Sequence, residues 1–290
     1  MAVAVPSRIG YLGPEGTFTH EAAIAGAVDR YGAAELIGLA TIYDVVMAVA
    51  RGEVDYAVVP IENSIEGSVT ATLDTLAIDA ETVHIVGEQI HRIEQCLIAA
   101  APLALGEIEA VVSHPQASAQ CARYLHDHLP QARVMTTSST ADAVRMVADR
   151  PGWAALGPRL AAERYGCALL AEGVEDRAGN ETRFVWLAPE AQPLLPRATA
   201  QSGVAFKTSL LFWGDGTGRP GWLVRCLSEL SQRGVNLTRI ESRPRKQGLG
   251  LYMFFIDCDG HAEDPVLAAA LAALAGHTEV LRVLGSYPAA

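Results

Sequence analysis

"GNETRFVWLAP", residues 179–189, sets a polar cluster, Asn180, Thr182 and Arg183, directly ahead of an apolar run from Phe184 to Leu187. The run reads as a buried strand, so the cluster stands at its mouth. Isolating the charge of Arg183 would cost several kcal/mol or more, and a negative group must therefore face it. That group is either a carboxylate of the chain, with Glu175, Asp176 and Glu181 nearest in sequence, or a bound one.

Working outward, this strand closes a unit from residue 8 to about 187 in which short β-rich runs alternate with helical patterns: "RIGYLG" then "FTHEAAIAGAVDRYG", "AELIGLA" then "TIYDVVMAVARG", "DYAVVPIE" then "SVTATLDTLA". "EAVVSH", "RVMTTS" and "WAALG" resume the pattern, each followed by a helix, which is α/β organisation. Ser139 or Thr140 suits a helix cap, Pro158 a first helical position and Gly166 the residue past a helix end. Residues 189–204, with three prolines and no periodicity, read as a connector. Beyond it, strand, helix, two strands, helix and strand follow over residues 205–290, the split βαβ order of ferredoxin-like α+β domains.

At 290 residues and 50% apolar content the chain is large enough for two or three globular units. A formal charge of −11 without any Lys/Arg run argues against nucleic acid or an anionic membrane as partner. Five scattered cysteines, without a C-x-x-C pair, fit free thiols in a reducing compartment, and the start "MAVAVPSRIGYLG" lacks a signal-peptide pattern, so the expected location is cytoplasmic. No metal is expected, because the histidines form no ligand-spaced cluster.

In open α/β sheets ligands bind where strands hand over to helices, and polar groups gather at several such points. In "GPEGTFTHEA" (13–22) a tight turn leads to a helix start that can hold an anion; equally, Thr17 or Thr19 simply caps that helix. "VVPIENSIEGSV" (58–69) releases Glu62, Asn63 and Ser64 together at a strand end, as a substrate holder or a solvated turn. In "SHPQASAQC", Ser113 and Gln120 share one face if helical geometry reaches back to Ser113, which otherwise serves as a cap.

Taken in order, "GPEGTFTHEAA", "VVPIENSIEGSV", "SHPQASAQC" and "NETRF" closely resemble the prephenate dehydratases, and "NLTRIESRP" with "YMFFIDCDGH" resembles their regulatory ACT domain. The resemblance implies a two-lobed, periplasmic-binding-protein-like α/β catalytic region, with residues 7–84 plus 175–188 as one lobe and 85–174 as the other. It implies loss of water and carbon dioxide from prephenate to give phenylpyruvate, without a cofactor, under feedback by phenylalanine. Thr182 matches the threonine that protonates or hydrogen-bonds the departing hydroxyl. Asn63, Ser113 and Gln120 match polar cleft residues, Glu62 the carboxylate beside that asparagine, and Arg183 the partner of a substrate carboxylate, with Ser64 and Thr17 as further substrate contacts. Gly221, Asn236, Leu237, Glu241, Ser242, Arg243 and Pro244 match the effector-binding pattern, and ACT domains commonly pair, so a homodimer or homotetramer is expected. Gln95 stands where many members carry histidine, and Trp222 replaces a small alanine beside the effector pocket. An arogenate dehydratase or a non-catalytic amino-acid sensor are the other readings; a sensor would not need Thr182.

Overall fold

The computed structural model describes residues 7–31, 34–189, 204–214, 216 and 219–290. The connector expected at 189–204 lies, apart from its two end residues, outside the described residues.

The first lobe opens with β1 (Ser7–Leu12), α1 (Phe18–Tyr31), β2 (Ala34–Leu39), α2 (Ile42–Ala50), β3 (Tyr56–Asn63), the short β4 (Gly67–Ser68), α3 (Thr70–Ile78) and β5 (Val83–Arg92). The chain then crosses to the second lobe, with β6 (Cys96–Ala99), β7 (Ala110–Ser113), α4 (Pro115–Gln120), α5 (Ala122–His128), β8 (Arg133–Thr136), α6 (Thr140–Val147), β9 (Trp153–Gly157), α7 (Arg159–Tyr165) and β10 (Ala168–Glu172). It returns as β11 (Glu181–Pro189), which inserts between β3 and β5 and runs antiparallel to both. The sheets read β2-β1-β3-β11-β5 and β10-β6-β9-β7-β8, two mixed α/β sheets joined by two crossings. Sequence reasoning placed residues 85–92 in the second lobe; β5 belongs to the first, because its partner is β11.

β11 is the buried interior strand that its apolar run implies, buried from Thr182 to Ala188. Its side chains alternate between two cores. Phe184 and Trp186 pack with Tyr11, Ala22 and Ala23 under α1, whereas Val185 and Leu187 join Val45, Leu73 and Ile85 on the α2 and α3 side. A Cβ at Gly26 would collide with the Trp186 ring, so α1 approaches the sheet at a residue without a side chain.

The C-terminal domain contains β12 (Phe206–Trp213), α8 (Trp222–Ser231), β13 (Leu237–Pro244), β14 (Tyr252–Asp259), α9 (Pro265–Ala275) and β15 (Val280–Pro288), as an antiparallel sheet β13-β14-β12-β15. One face carries the helices over Leu210, Phe212, Ile256 and Leu274. The other packs Leu211, Met253, Phe255, Leu284 and Tyr287 into the α2/α3 core of the first lobe, so the two domains share one apolar interior. All five cysteines are free, and burial pushes the Cys121 thiol up to about 12, leaving it unreactive at neutral pH. Among the described residues no helix is long and apolar enough to cross a membrane.

Candidate active site

Between the lobes lies a cavity of about 550 Å3, lined from the first lobe by Thr17, Pro60, Asn63 and Thr182, from the second by His114, Gln116, Gln120 and Ser139, and from the crossings by Gln95 and Asn180. Its size falls in the ~300–1,000 Å3 range of small-molecule sites. Among its lining residues there is no lysine or arginine; His114 and Asp142 are its titratable members. Asp142 is already engaged, by Arg145 at 2.6 Å, Ser138 at 2.6 Å and Ser139 at 2.9 Å.

A β-bulge aims the central pair. Thr182 pairs with Asn63 and Arg183 with Glu62, but Phe184 pairs with Pro60, so Ile61 is an extra residue on β3. The extra residue lets Pro60 and Asn63, three apart, line the same cleft although strict alternation would oppose them. Asn63 Oδ1 accepts the backbone N–H groups of Ile65 and Glu66, both at 3.0 Å, which turns its NH2 group toward Thr182. Asn63 Nδ2 lies 3.0 Å from Thr182 Oγ1 and 2.8 Å from Asn180 Oδ1. Because Thr182 Oγ1 accepts from the amide, its own proton is left to donate into the cleft.

The amides continue across the crevice: Asn180 Nδ2 donates to Gln120 Oε1 at 3.2 Å, joining the return crossing to the second lobe. Gln120 ends α4, since the helix is interrupted at Cys121 before α5 begins. Thr17 lines the cleft and also caps α1, its hydroxyl donating to the Pro14 carbonyl at 3.0 Å and accepting the His20 N–H at 3.2 Å. His20 Nδ1 accepts the Gly16 N–H at 3.0 Å and its ring stacks on Tyr11; burial lowers its pKa, so the ring stays neutral at pH 7. The starts of α1, α4 and α6 all meet the cleft, and helix N-termini favour anions.

Several residues expected in the site lie elsewhere. Ser113 is wholly buried on β7, where its hydroxyl donates to the Leu156 carbonyl at 2.8 Å; the helix begins at Pro115, so Ser113 shares no helical face with Gln120. Ser64 accepts the Glu181 N–H at 2.9 Å and closes the turn behind Asn63 without lining the cavity. Glu62 and Arg183 point out of the opposite face of the sheet, where Arg183 meets Glu62 at 3.2 Å, Glu88 at 3.2 Å and Asp257 at 2.5 Å. The required negative partner is therefore intramolecular, but none of the three carboxylates nearest in sequence supplies it. Asn180, visible in the polar cluster, and Gln116, His114 and Ser139 are cleft residues that sequence reasoning did not assign.

In the C-terminal domain Gly221 is a left-handed N-cap of α8 and lines a second cavity of about 290 Å3 with Trp222, Tyr252 and Phe254. Trp222 forms a wall there, its indole N–H donating to the His277 carbonyl at 2.7 Å. The other expected effector residues do not converge on that cavity. Asn236 binds Asp259 at 2.9 Å, and Leu237 packs on the helix-side core. Alternation along β13 turns Glu241 toward Ser68 at 2.9 Å and Arg243 toward Asp74 at 3.0 Å, both in the first lobe, while Ser242 and Pro244 are exposed.

Comparison with known proteins agrees with this architecture. Residues 9–192 match the family model for prephenate dehydratase, and residues 215–276 match that for the ACT domain. A prephenate dehydratase of Mycobacterium sp. (strain JLS) is 41% identical over 97% of this chain and 89% of its own length. The structure of prephenate dehydratase from Arthrobacter aurescens in complex with L-Phe superposes with a TM-score of 0.85 at 37% identity, covering 98% of this chain and 92% of that one. A protein described as a novel type of quorum quenching acylase, GqqA, has a TM-score of 0.81 at 30% identity, over 98% of both chains. With the family motifs present, the Asn63–Thr182 pair set in a cleft between two lobes, and an ACT sheet docked behind them, this chain belongs to the prephenate dehydratases, hydro-lyases of phenylalanine biosynthesis.

Proposed function

We propose that the interlobe cleft binds prephenate and that the Thr182 hydroxyl donates a hydrogen bond to the ring hydroxyl as it departs. Loss of that hydroxyl with a proton as water, and of the ring carboxylate as carbon dioxide, leaves an aromatic ring, so the driving force resides in the substrate and no cofactor is required. The protein contributes a fixed pose and a donor for the leaving oxygen. The observation that carries this reading is the Asn63 amide, oriented by two backbone N–H groups, which leaves the Thr182 proton directed into the cavity. Glu62 is not the proton source, because it is held by Arg183 behind the sheet; water is. Backbone N–H groups at the helix starts, with Thr17 and Gln120, hold the substrate carboxylates in place of Arg183.

L-phenylalanine is the effector at the ACT domain, supported by the complex of the Arthrobacter relative and by the apolar cavity beside Gly221 and Trp222. The unpaired edge of β13, with Ile240 about half exposed, suits the addition of a second copy, as a homodimer or homotetramer. Free cysteines support a cytoplasmic setting.

Incubating the purified protein with prephenate, arogenate and an acyl amide, with and without L-phenylalanine, tests the reading. Phenylpyruvate from prephenate, reduced by L-phenylalanine, is expected. Preferential phenylalanine formation from arogenate, hydrolysis of the acyl amide alone, or binding without turnover would each contradict it.

A further inference from the structure

The two strands that carry Asn63 and Thr182 into the cleft carry their neighbours, Glu62 and Arg183, out of the opposite face and into the seam with the ACT sheet. There the Arg183 guanidinium, 8% exposed, donates hydrogen bonds to Glu88 at 3.2 Å on β5 and to Asp257 at 2.5 Å on the ACT strand β14, and its Nε faces the Glu62 carboxylate of the adjacent strand at 3.2 Å as an ion pair without a hydrogen bond. Asp257 is fixed in turn by Ser209 at 2.5 Å, and Ser209 by the buried Tyr287 hydroxyl at 2.6 Å. Lys207 closes on Glu88 at 2.6 Å, and Arg239 lies 3.8 Å from Glu62 and 3.9 Å from Asp257. The first lobe contributes two carboxylates and one guanidinium, and the ACT domain two cations and one carboxylate. The two halves thus present charges of both signs to each other across the seam.

We infer that Arg183 is a positioning residue: clamped between Glu62, Glu88 and Asp257, it sets the register of β3 and β11 that aims Asn63 and Thr182, and so makes the cleft geometry depend on the docked ACT sheet. One observation and two physical arguments converge on it. The β-bulge at Ile61, which allows the Asn63–Thr182 pairing, immediately adjoins the Glu62–Arg183 pair. Planar guanidinium forks fix direction as well as charge, so Arg183 constrains its strand in a way that a lysine would not. Buried charges do not shift gradually, since each loses its compensation when its partner moves. Two side chains, Asp257 and Arg183, thus stand between the ACT sheet and Thr182, the sequence neighbour of Arg183. The inference rests on the dehydratase reading.

The test compares Asp257→Asn, Ser209→Ala and Arg183→Lys with Asp74→Asn, which weakens the same seam at the Arg243–Asp74 pair, 3.0 Å, away from the cluster. Phenylpyruvate formation is measured well below each unfolding midpoint, with thermal unfolding followed in parallel. Displacements of about 1 Å in a catalytic constellation cost up to ~100-fold, so Asp257→Asn and Arg183→Lys are expected to lower kcat about tenfold or more, and Ser209→Ala about threefold, with KM changed less than about twofold. Asp74→Asn is expected to lower the midpoint and keep the wild-type kcat. The inference is overturned if kcat follows the midpoint in all four variants, or if Ser209→Ala and Arg183→Lys both fold and turn over like the wild type. A folded wild type that makes no phenylpyruvate refutes the reading and the inference together, whereas an active wild type with either of the preceding outcomes refutes the inference alone.

Discussion

Thr182 is 8% exposed, and an unoriented hydroxyl there would have several acceptors to choose from; the Asn63 amide removes that freedom by donating to its oxygen. Asn63→Ala therefore costs both turnover and stability: kcat is expected to fall about 10- to 100-fold, and the thermal midpoint to drop because the Ile65 and Glu66 N–H groups lose their acceptor. Ser113 bears on stability alone. Its alanine variant leaves the Leu156 carbonyl without its donor, an expected loss of about 1–3 kcal/mol in denaturant unfolding, with kcat per folded molecule unchanged. The residue types of the site were legible in the sequence, and so was the need for an anion against Arg183. Its partners were not, because Glu88 and Asp257 lie 95 and 74 positions away and nothing local announces them. Ser113 misled because a serine before a proline reads the same whether it ends a strand or begins a helix turn.

At the level of elements, the alternating strands and helices of both units were readable from periodicity and caps, and Ser139 caps α6 as expected by accepting the Asp142 N–H at 3.0 Å. The membership of β5 was not readable, since a strand's sheet is decided by the partner that reaches it, and β11 arrives only after the whole second lobe. Docking of the ACT sheet was equally hidden. It depends on Gly285 in β15, where a Cβ would overlap the Ile85 carbonyl of β5, a backbone atom that cannot swing aside. Gly285→Ala is expected to cost about 1–3 kcal/mol, as overpacking does, and to separate the unfolding of the ACT domain from that of the first lobe. A single transition at the wild-type midpoint would show that the two backbones are not in contact.

Across the whole molecule, the ACT domain sets cations on first-lobe carboxylates, Arg243 and Lys246 on Asp74 and Lys207 on Glu88, sets Asp257 on Arg183, and places Arg282 on the Leu76 carbonyl at the end of α3. Burial alone would raise the Asp74 pKa, but hydrogen bonds from Arg243 and Lys246 hold it below the ordinary carboxylate range. A carboxyl depressed in the folded state contributes stability that is present above its unfolded pKa, about 4, and lost as pH falls through the folded value. Asp74→Asn should accordingly be less stable than the wild type from neutrality down to about pH 4, and the two unfolding midpoints should converge below it. A constant difference across the acid limb would place the stabilisation outside this pair. The overall negative charge of the chain, which argued against nucleic acid, coexists with a cleft that three helix starts meet, and formal charge counts do not register helix dipoles.

On the proposed reading, the oriented Thr182 hydroxyl is the protein group that assists the departing hydroxyl, in a cleft lined by no lysine or arginine. The most direct measurement is kcat for phenylpyruvate formation by Thr182→Ser and Thr182→Ala, both verified as folded. Serine keeps the hydroxyl at hydrogen-bond distance from Asn63 and should retain much of the wild-type rate, whereas alanine should lose about 100-fold or more. Equal, near-complete activity in both variants would contradict the claim.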